Sequence, residues 1–403
     1  MLGGRFSRPV LKFKNGTSIY PFEGLALGLK PLKGPNKIHV KILSEKRVKR
    51  ILERFIENVV GGFRNYPGLE ELFHVSVETD YMLAEDIKKV EDEIPNLLGC
   101  SVAVVALPDK IKLPDMEDYY LPLKREISLL SIPSQMVEYS TLKNHAENRY
   151  VAFNFALNLY GKAGGIAWGL AEKIGNFAFI GIDVAGGFTS ASLLANPLDP
   201  VIAWHVEYNP SVEVSVSLEN TIYPILEKAA KSLGGKMNGF IVHRDGRTHW
   251  SEIEAVRRIY YSAIQNGLLV PDSFYALLEV RKKVTPRIIR SIGGKFYNPE
   301  KGVYAILDDK SVLLATTGYP ERGIPLYHGL VRPILINLAD TSDWEISVRE
   351  HSKLIYWFSQ LHWGSAFYSP KLPITTLYAH RICQFVSMGV FPEEGRKTSL
   401  WFL

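Results

Sequence analysis

Apolar and polar positions in the first part of the chain alternate between two periods. Short apolar runs have the composition of strands, and the stretches between them repeat apolar residues at the three-to-four-residue spacing of an amphipathic helix. The strand-like runs are "KIHVKILS" (37–44), "LFHVSVET" (72–79) and "SVAVVALP" (101–108), and the helix-like runs are "EKRVKRILERFIENVVGGF" (45–63) and "AEDIKKVEDEIPNLL" (84–98). Strands that alternate with helices predict a parallel, doubly wound α/β sheet, which we expect to end near residue 170.

The pattern changes after that point. Three strand-like runs follow one another with no helical run between them, which predicts antiparallel pairing. They are "FAFIGIDVAGG" (177–187), "SASLLAN" (190–196) and "VIAWHVEYN" (201–209). A helix (218–233), a strand (238–247) and a second helix (250–265) follow, and the last predicted helix spans 373–390. This order is typical of a ribonuclease-H-like domain, with the last helix packed back on its sheet.

Composition permits nucleic acid as a partner without requiring it. The 403 residues are 46% apolar, and 47 basic residues against 42 acidic ones leave a net charge of +5, so any basic surface must be local. The two cysteines fit neither a disulfide framework nor a zinc site, and the first residues lack a signal peptide, so we expect a cytoplasmic protein. The apolar stretch 151–170 contains Asn154, Asn158 and Lys162, which argue against membrane insertion.

Two aspartates interrupt or end apolar strands. Asp183 lies in "GIDV" and Asp245 in "HRDGR". Each one alone suits a strand-end turn, but two at neighbouring strand ends bring their carboxylates close enough to share Mg²⁺ or Mn²⁺. His380, in "YAH", is a candidate further ligand, although a lone histidine is more often structural. Together these residues favour two-metal phosphodiester hydrolysis.

A second constellation lies upstream. Tyr120 and Lys124 are one helical turn apart, Gln135 closes a proline-containing turn before the next strand, and Lys162 stands beside glycines that let backbone approach a phosphate closely. A tyrosine, two lysines and an amide around a phosphate would form a pocket for a terminal nucleotide. The alternative is a solvated helix face and a structural lysine, and spacing alone does not decide between them.

Six motifs in order resemble the MID–PIWI half of Argonaute proteins, particularly short and archaeal ones. They are "SIPSQ", "GKAGGIAW", "GIDV", "HRDGR", "LPITTLYAHR" and the terminal "WFL". The likeness runs from about residue 10 to the end. It implies a Rossmann-like MID domain at 37–170, a ribonuclease-H-like PIWI domain at 171–403, and an N-terminal segment, 1–36, that packs on this body.

The resemblance also implies roles for the residues singled out above. The family's pocket for a guide 5′-phosphate falls on Tyr120, Lys124, Gln135 and Lys162, and a divalent ion would bridge the phosphate to the C-terminal carboxylate of Leu403. The spacing from Lys124 to Gln135 is one residue longer than in the family, so Arg125 is an alternative ligand. Asp183, Asp245 and His380 match three positions of the catalytic tetrad, and Glu213, or else Glu219, supplies the glutamate.

A guide-binding function follows from this likeness. We expect a chain that uses a short 5′-phosphorylated RNA or DNA to recognise complementary target DNA or RNA in prokaryotic defence, with metal-dependent cleavage of the target. Because about 400 residues leave no room for the other Argonaute domains, an inactive guide-loaded sensor that activates a separate effector protein is a second hypothesis. A guide-independent ribonuclease-H-like nuclease is the third.

Overall fold

The computed structural model describes residues 2–109, 119–210, 214–318, 329–343, 345–392 and 400–403. The chain forms two compact units, which we call the small-sheet unit and the large-sheet unit. The small-sheet unit contains Leu11–Gly169, Trp363–Phe367 and Met388–Leu403, and the large-sheet unit contains Met1–Val10, Leu170–His362 and Tyr368–Ser387. Residues predicted as one N-terminal segment are thus divided between the units, and the exact domain boundaries stay a prediction.

A four-stranded parallel sheet forms the centre of the small-sheet unit, in the order β5-β4-β6-β7. The elements of this part of the chain are β2 (Leu11–Phe13), β3 (Gly16–Ser18), α1 (Pro21–Ala26), β4 (Lys37–Glu45), α2 (Lys49–Gly61), α3 (Leu69–Phe73), β5 (Ser76–Ala84), β6 (Val102–Leu107), α4 (Tyr120–Leu129), β7 (Ser134–Glu138), α5 (Tyr139–Asn144), α6 (Arg149–Lys162) and β8 (Gly169–Leu170). The parallel α/β architecture predicted from the alternating pattern is confirmed.

The burial of the strands in this sheet fits its parallel pairing and its central position in the unit. All six residues of β6 are buried, as expected for a strand covered on both faces. Residues of α4 pack on one of those faces, where Leu123 and Ile127 join Val105 in one hydrophobic cluster. Helix α6 begins at Asn148, whose side chain accepts hydrogen bonds from two backbone N–H groups of the first turn, and it ends at Lys162. The helix is therefore fixed at its start and carries Lys162 in its last turn.

One predicted helix is wrong. Residues 84–98 form no α-helix: they contain the end of β5 and two 3₁₀ turns, Ile87–Lys89 and Glu91–Leu97. Pro95 lacks a backbone N–H and disfavours α-helical geometry at the residue before it. The Asp86 side chain also accepts hydrogen bonds from the backbone N–H groups of Lys88 and Lys89, which closes the first turn tightly.

Nine strands of the described residues form the sheet of the large-sheet unit, in the order β1-β16-β17-β18-β13-β12-β9-β10-β11. The elements are β1 (Leu2–Arg5), β9 (Phe177–Ala185), β10 (Phe188–Ala195), β11 (Val201–Tyr208), α7 (Val214–Ser232), β12 (Met237–Asp245), α8 (Trp250–Gln265), β13 (Leu269–Arg281), β14 (Arg290–Ile292), β15 (Lys295–Tyr297), β16 (Val303–Asp308), β17 (Ser311–Leu314), β18 (Ile334–Thr341), α9 (Val348–Ser359) and α10 (Ile374–Ser387). β9, β10 and β11 pair antiparallel as predicted, whereas β12 lies parallel to both β9 and β13.

Helices cover both faces of this sheet. Ala178, Ile180 and Ile182 of β9 belong to a hydrophobic core that also includes residues of α7 and α8. Side chains of a strand alternate between faces, so Phe179 and Asp183 point to the other side, where Phe179 contacts Phe358 of α9. Helix α10 packs on that same face of β9 and β10. The predicted last helix therefore lies where the aspartate of β9 emerges.

Among the residues that the structure describes, no helix is long and apolar enough to cross a membrane.

Candidate functional site

The two aspartates lie side by side at one edge of the large sheet. β9 and β12 are parallel, and their register pairs Ile182 with Arg244, which sets Asp183 next to Asp245 at the carboxyl ends of adjacent strands. Both carboxylates are largely buried. The position predicted from their strand-end locations is the position that the structure gives them.

His380 reaches these carboxylates because α10 lies unusually close to β9. A Cβ built on Gly181 would lie 2.1 Å from the backbone carbonyl of Thr375, so glycine alone permits this approach. Ser192 Oγ donates a hydrogen bond to the Thr375 carbonyl oxygen (2.6 Å), and Ser190 Oγ donates one to the Ala379 carbonyl oxygen (2.8 Å). These contacts fix the helix directly before His380.

Three ligand atoms come together as a result. His380 Nδ1 lies 2.8 Å from Asp183 Oδ2 and 3.7 Å from Asp245 Oδ2, and one ligand atom from each residue lies within 4.8 Å of the others. Burial of the Asp183 carboxyl raises its pKa, but the hydrogen bond from His380 and the nearby Arg244 charge outweigh burial and hold that pKa below its usual value. Two ionised carboxylates and an imidazole are a donor set that fits a divalent ion.

Cations of the protein also contact the aspartates. Lys282 Nζ lies 2.7 Å from Asp245 Oδ2, and Arg244 Nη1 lies 4.0 Å from Asp183 Oδ1. Arg244 also donates to the buried carboxylate of Glu252 (2.9 Å) and to the Asp245 carbonyl oxygen (2.7 Å). The arginine before Asp245 in "HRDGR" therefore contacts carboxylates of the protein itself.

The glutamate of the predicted set is not located by the structure. Glu213 lies outside the described residues. Glu219, the alternative, lies on α7 and forms an ion pair with Arg258 of α8, with 2.6 Å between Glu219 Oε1 and Arg258 Nη2. Its carboxylate is therefore engaged between two helices.

In the small-sheet unit, the two lysines of the predicted phosphate pocket are buried and contact consecutive residues, Ser134 and Gln135. Lys124 of α4 donates from Nζ to the carbonyl oxygen and the hydroxyl of Ser134, at 3.3 Å each. Lys162 of α6 donates from Nζ to Gln135 Oε1 at 2.5 Å. Ser134 and Gln135 begin β7. Two helices and the start of one strand thus meet at this point, and Gln135 lies within the strand instead of the preceding turn.

Burial makes these ammonium groups unusual. Lys124 and Lys162 expose only 3% and 2% of their surface. Loss of hydration lowers the pKa of Lys124 to about 8. Its Nζ lies 5.9 Å from the centre of the Tyr120 ring, so the tyrosine predicted to line the pocket lies beside the lysine. A cluster of buried positive charge is stabilised by an anion that replaces the lost water.

The last residues of the chain lie against α6. A Cβ built on Gly161 would be 3.3 Å from Leu403 Cδ1 and 3.4 Å from Leu400 Cδ1. Leu403, predicted to complete the pocket, therefore lies against Gly161, the residue that precedes Lys162 on α6. Arg125, the alternative to Lys124, donates from Nε to the Met388 carbonyl oxygen at 2.6 Å. In this structure its guanidinium therefore binds the backbone of the residue that follows α10.

Sequence reasoning missed two residues of these sites. Ser134 lies within the quoted "SIPSQ" motif, but nothing in its type suggested a buried contact with Lys124. Lys282 stands in the run "VRKK" at the end of β13. The location of Lys282 at a strand end was a signal in the sequence. Its meaning depends on the pairing of β13 with β12, which the sequence alone did not predict.

The chain combines a doubly wound parallel sheet with a ribonuclease-H-like sheet that carries clustered carboxylates. These features define the class of α/β proteins with MID and PIWI architecture. The model of the Piwi domain family matches residues 104–389, and the chain belongs to this family. The resemblance to Argonaute-type Piwi-domain proteins that the six sequence motifs indicated is confirmed.

Two solved structures share the fold. A Clostridium butyricum Argonaute bound to a guide DNA (5′ deoxycytidine) and a 19-mer target DNA superposes with a TM-score of 0.77 at 22% sequence identity, over 100% of this chain and 55% of that one. Aa-Ago of A. aeolicus, with externally bound siRNA, gives a TM-score of 0.69 at 22% identity, over 99% of this chain and 56% of that one. This chain therefore spans about half the length of each.

Proposed function

We propose that this chain binds the 5′-phosphorylated end of a short guide RNA or DNA and uses the guide to recognise complementary target nucleic acid. The observation that carries the proposal is the meeting of buried Lys124 and Lys162 at Ser134 and Gln135. Buried ammonium groups favour an anion, and a terminal phosphate presents several acceptor oxygens to them. Tyr120, beside Lys124, offers a ring on which the first base stacks.

Membership in the Piwi domain family and the fold shared with two Argonautes support the same function. One of those structures holds a guide DNA and a target DNA, and the other has an externally bound siRNA, so both DNA and RNA are found on proteins of this fold. Recognition of foreign nucleic acid in prokaryotic defence is the role that we propose for the loaded protein.

Binding of matched oligonucleotides tests the proposal. The full chain should bind a 5′-phosphorylated strand more tightly than its 5′-hydroxyl twin, and Lys124→Met should remove most of that preference, about 10- to 100-fold, as expected for a lost hydrogen bond to a charged group. Lys143→Met is the matched control, because Lys143 is an exposed lysine of the same unit. Equal affinity of the wild-type protein for the two strands contradicts the proposal.

Cleavage of the target is a second candidate function, and the cluster of Asp183, Asp245 and His380 favours it. We propose that these residues hold Mg²⁺ or Mn²⁺, with Glu213 as the fourth member. A bound divalent ion would activate water and stabilise the charge that develops on the phosphate. In the protein itself, the hydrogen bond between His380 and Asp183 orients the imidazole, and this bond together with the Arg244 charge holds the pKa of the Asp183 carboxyl below its usual value.

Guide-loaded protein with a complementary target and Mn²⁺ tests this second function. The target should be cut, and Asp183→Asn should abolish cutting but leave guide binding intact. An intact target in the presence of demonstrably bound guide contradicts cleavage and favours the guide-loaded sensor that activates a separate effector protein. Cutting without any guide favours a guide-independent nuclease.

A further inference from the structure

Three adjacent strand ends meet at the carboxylate cluster, and the third supplies a lysine. β9, β12 and β13 are parallel neighbours, and the register pairs Asp245 with Val280. Lys282 follows β13 by one residue, so its side chain emerges at the same edge of the sheet as Asp183 and Asp245. Its ammonium nitrogen lies 2.7 Å from Asp245 Oδ2, the oxygen that is 3.7 Å from His380 Nδ1.

The lysine is well fixed in this position. Lys371 donates a hydrogen bond from Nζ to the Lys282 carbonyl oxygen, which anchors the backbone just beyond the strand. The side chain of Asp245 is only 6% exposed and that of Lys282 is 31% exposed. The contact is therefore a largely sheltered ion pair and differs from a surface pair that solvent screens.

The charges around the cluster limit how many ions it accepts. Among the residues that the structure describes, Asp183, Asp245 and Glu252 contribute three negative charges, and Arg244 and Lys282 contribute two positive ones. With the carboxylate of Glu213, the proposed fourth member, the formal sum is −2, so one divalent ion brings it to zero and a second would raise it to +2. A second ion bound to Asp245 would also compete with the ammonium for the same carboxylate oxygen, at the shorter distance of about 2.1 Å that Mg²⁺ requires.

We propose that Lys282 occupies the second cation position of this site, so that the protein binds one divalent ion where a two-metal nuclease binds two. The inference rests on the metal site put forward as the second candidate function. In it, Lys282 is a positioning residue that neutralises Asp245 and leaves Asp183 and His380 to hold the ion.

The count of bound Mn²⁺ tests this inference without any measurement of cleavage. Titration of the full chain with Mn²⁺, followed by electron paramagnetic resonance of the free ion, should give one ion that Asp183→Asn removes. Lys282→Met should bind two, Lys282→Arg should again bind one, and Lys283→Met should match the wild type. Lys283 is the control because it is exposed at the same strand end and carries the same charge.

The outcomes separate this inference from the function on which it rests. Two Asp183-dependent ions in the wild type, or a single ion of unchanged affinity in folded Lys282→Met, overturn the role of Lys282 and keep the metal site. Absence of any Asp183-dependent ion in all variants overturns the metal site together with the inference. Preference for a 5′-phosphate, measured on the same preparations, reports on guide binding independently.

Discussion

Lys124 shows how burial alone can tune a recognition site. A lysine in water has a pKa near 10.4, and loss of hydration in the small-sheet unit lowers the pKa of Lys124 to about 8. Burial therefore disfavours the protonated form of Lys124, and a bound phosphate would stabilise it. In the function proposed above, preference for a terminal phosphate would come from poor solvation of this lysine as well as from its charge.

This feature predicts opposite pH dependences for binding and stability. As the pH rises through about 8, Lys124 in the guide-free protein loses its proton, so the preference for a 5′-phosphate should fall by up to about tenfold per pH unit. Over the same window the unfolded chain keeps the proton, so this residue's contribution to the free energy of unfolding should rise with pH. Competition binding and urea unfolding between pH 7 and 10 measure the two trends. Lys124→Met should flatten both, and a phosphate preference that stays constant to pH 10 contradicts the prediction.

At the scale of elements, one glycine decides whether His380 can reach the aspartates. The backbone of α10 rests directly on Gly181 of β9, and the side chains of Ser190 and Ser192 bond its carbonyl oxygens. Buried His243, on β12, adds a contact of 2.8 Å between its Nδ1 and Thr375 Oγ1. The helix is thus held by several short contacts and has no room for an added methyl group.

Substitution of that glycine should separate the helix from the sheet. Gly181→Ala places a methyl group 2.1 Å from the Thr375 carbonyl, which should lower the free energy of unfolding by about 1–3 kcal/mol and weaken Mn²⁺ binding at His380. Gly61→Ala is the control, because a Cβ at that helical position meets no atom within 4 Å. Urea unfolding and Mn²⁺ titration of both variants provide the check, and unchanged values for Gly181→Ala would show that α10 tolerates the displacement.

Sequence predicted β9 to β12, α7, α8 and α10 of the large sheet but neither its other strands nor all its pairings. These elements lie where the apolar pattern placed them, because β9, β10, β12 and α8 bury apolar residues in one core and β11 packs against it. The helix predicted over 84–98 is wrong because local features, Pro95 and the Asp86 turn, outweighed the helical spacing of its apolar residues. The position of β13 beside β12, which brings Lys282 to the aspartates, depends on a long-range pairing that no local pattern contains.

At the scale of the whole molecule, net charge says little about where nucleic acid binds. The formal charge of +5 is small for 403 residues, and the cations include buried ones, such as Lys124 and Lys162, and exposed ones, such as Lys143. Salt acts differently on these two kinds of charge, since exposed contacts are screened over about 10 Å at 0.1 M ionic strength and buried ones much less.

Ionic strength should therefore separate the pocket from the rest of the binding surface. The affinity for any guide should fall steeply as salt rises, because phosphate contacts along the strand release counterions. The ratio of affinities for 5′-phosphate and 5′-hydroxyl strands should change much less. Filter binding from 0.05 to 0.5 M KCl provides both quantities, and a ratio that approaches one while binding persists argues against a buried phosphate site.

The candidate sites show the same division between local and distant information. Motifs identified Asp183, Asp245 and His380, because residue type and strand ends are readable along the chain, and the structure brings them together. The same motifs did not reveal the ion pair of Lys282 or the contact of Lys124 with Ser134, because burial and neighbouring cations are properties of the folded molecule.

The first strand has a consequence for handling the protein. Residues 2–5 form β1, which pairs along β16 from Leu2 with Ile306 to Arg5 with Val303 and lies at one edge of the nine-stranded sheet. Because β1 has only four residues, it presents fewer unpaired amide and carbonyl groups than the six residues of β16 would present in its absence. We therefore expect removal of residues 2–5 to lengthen the open edge of the sheet and to favour self-association of the protein.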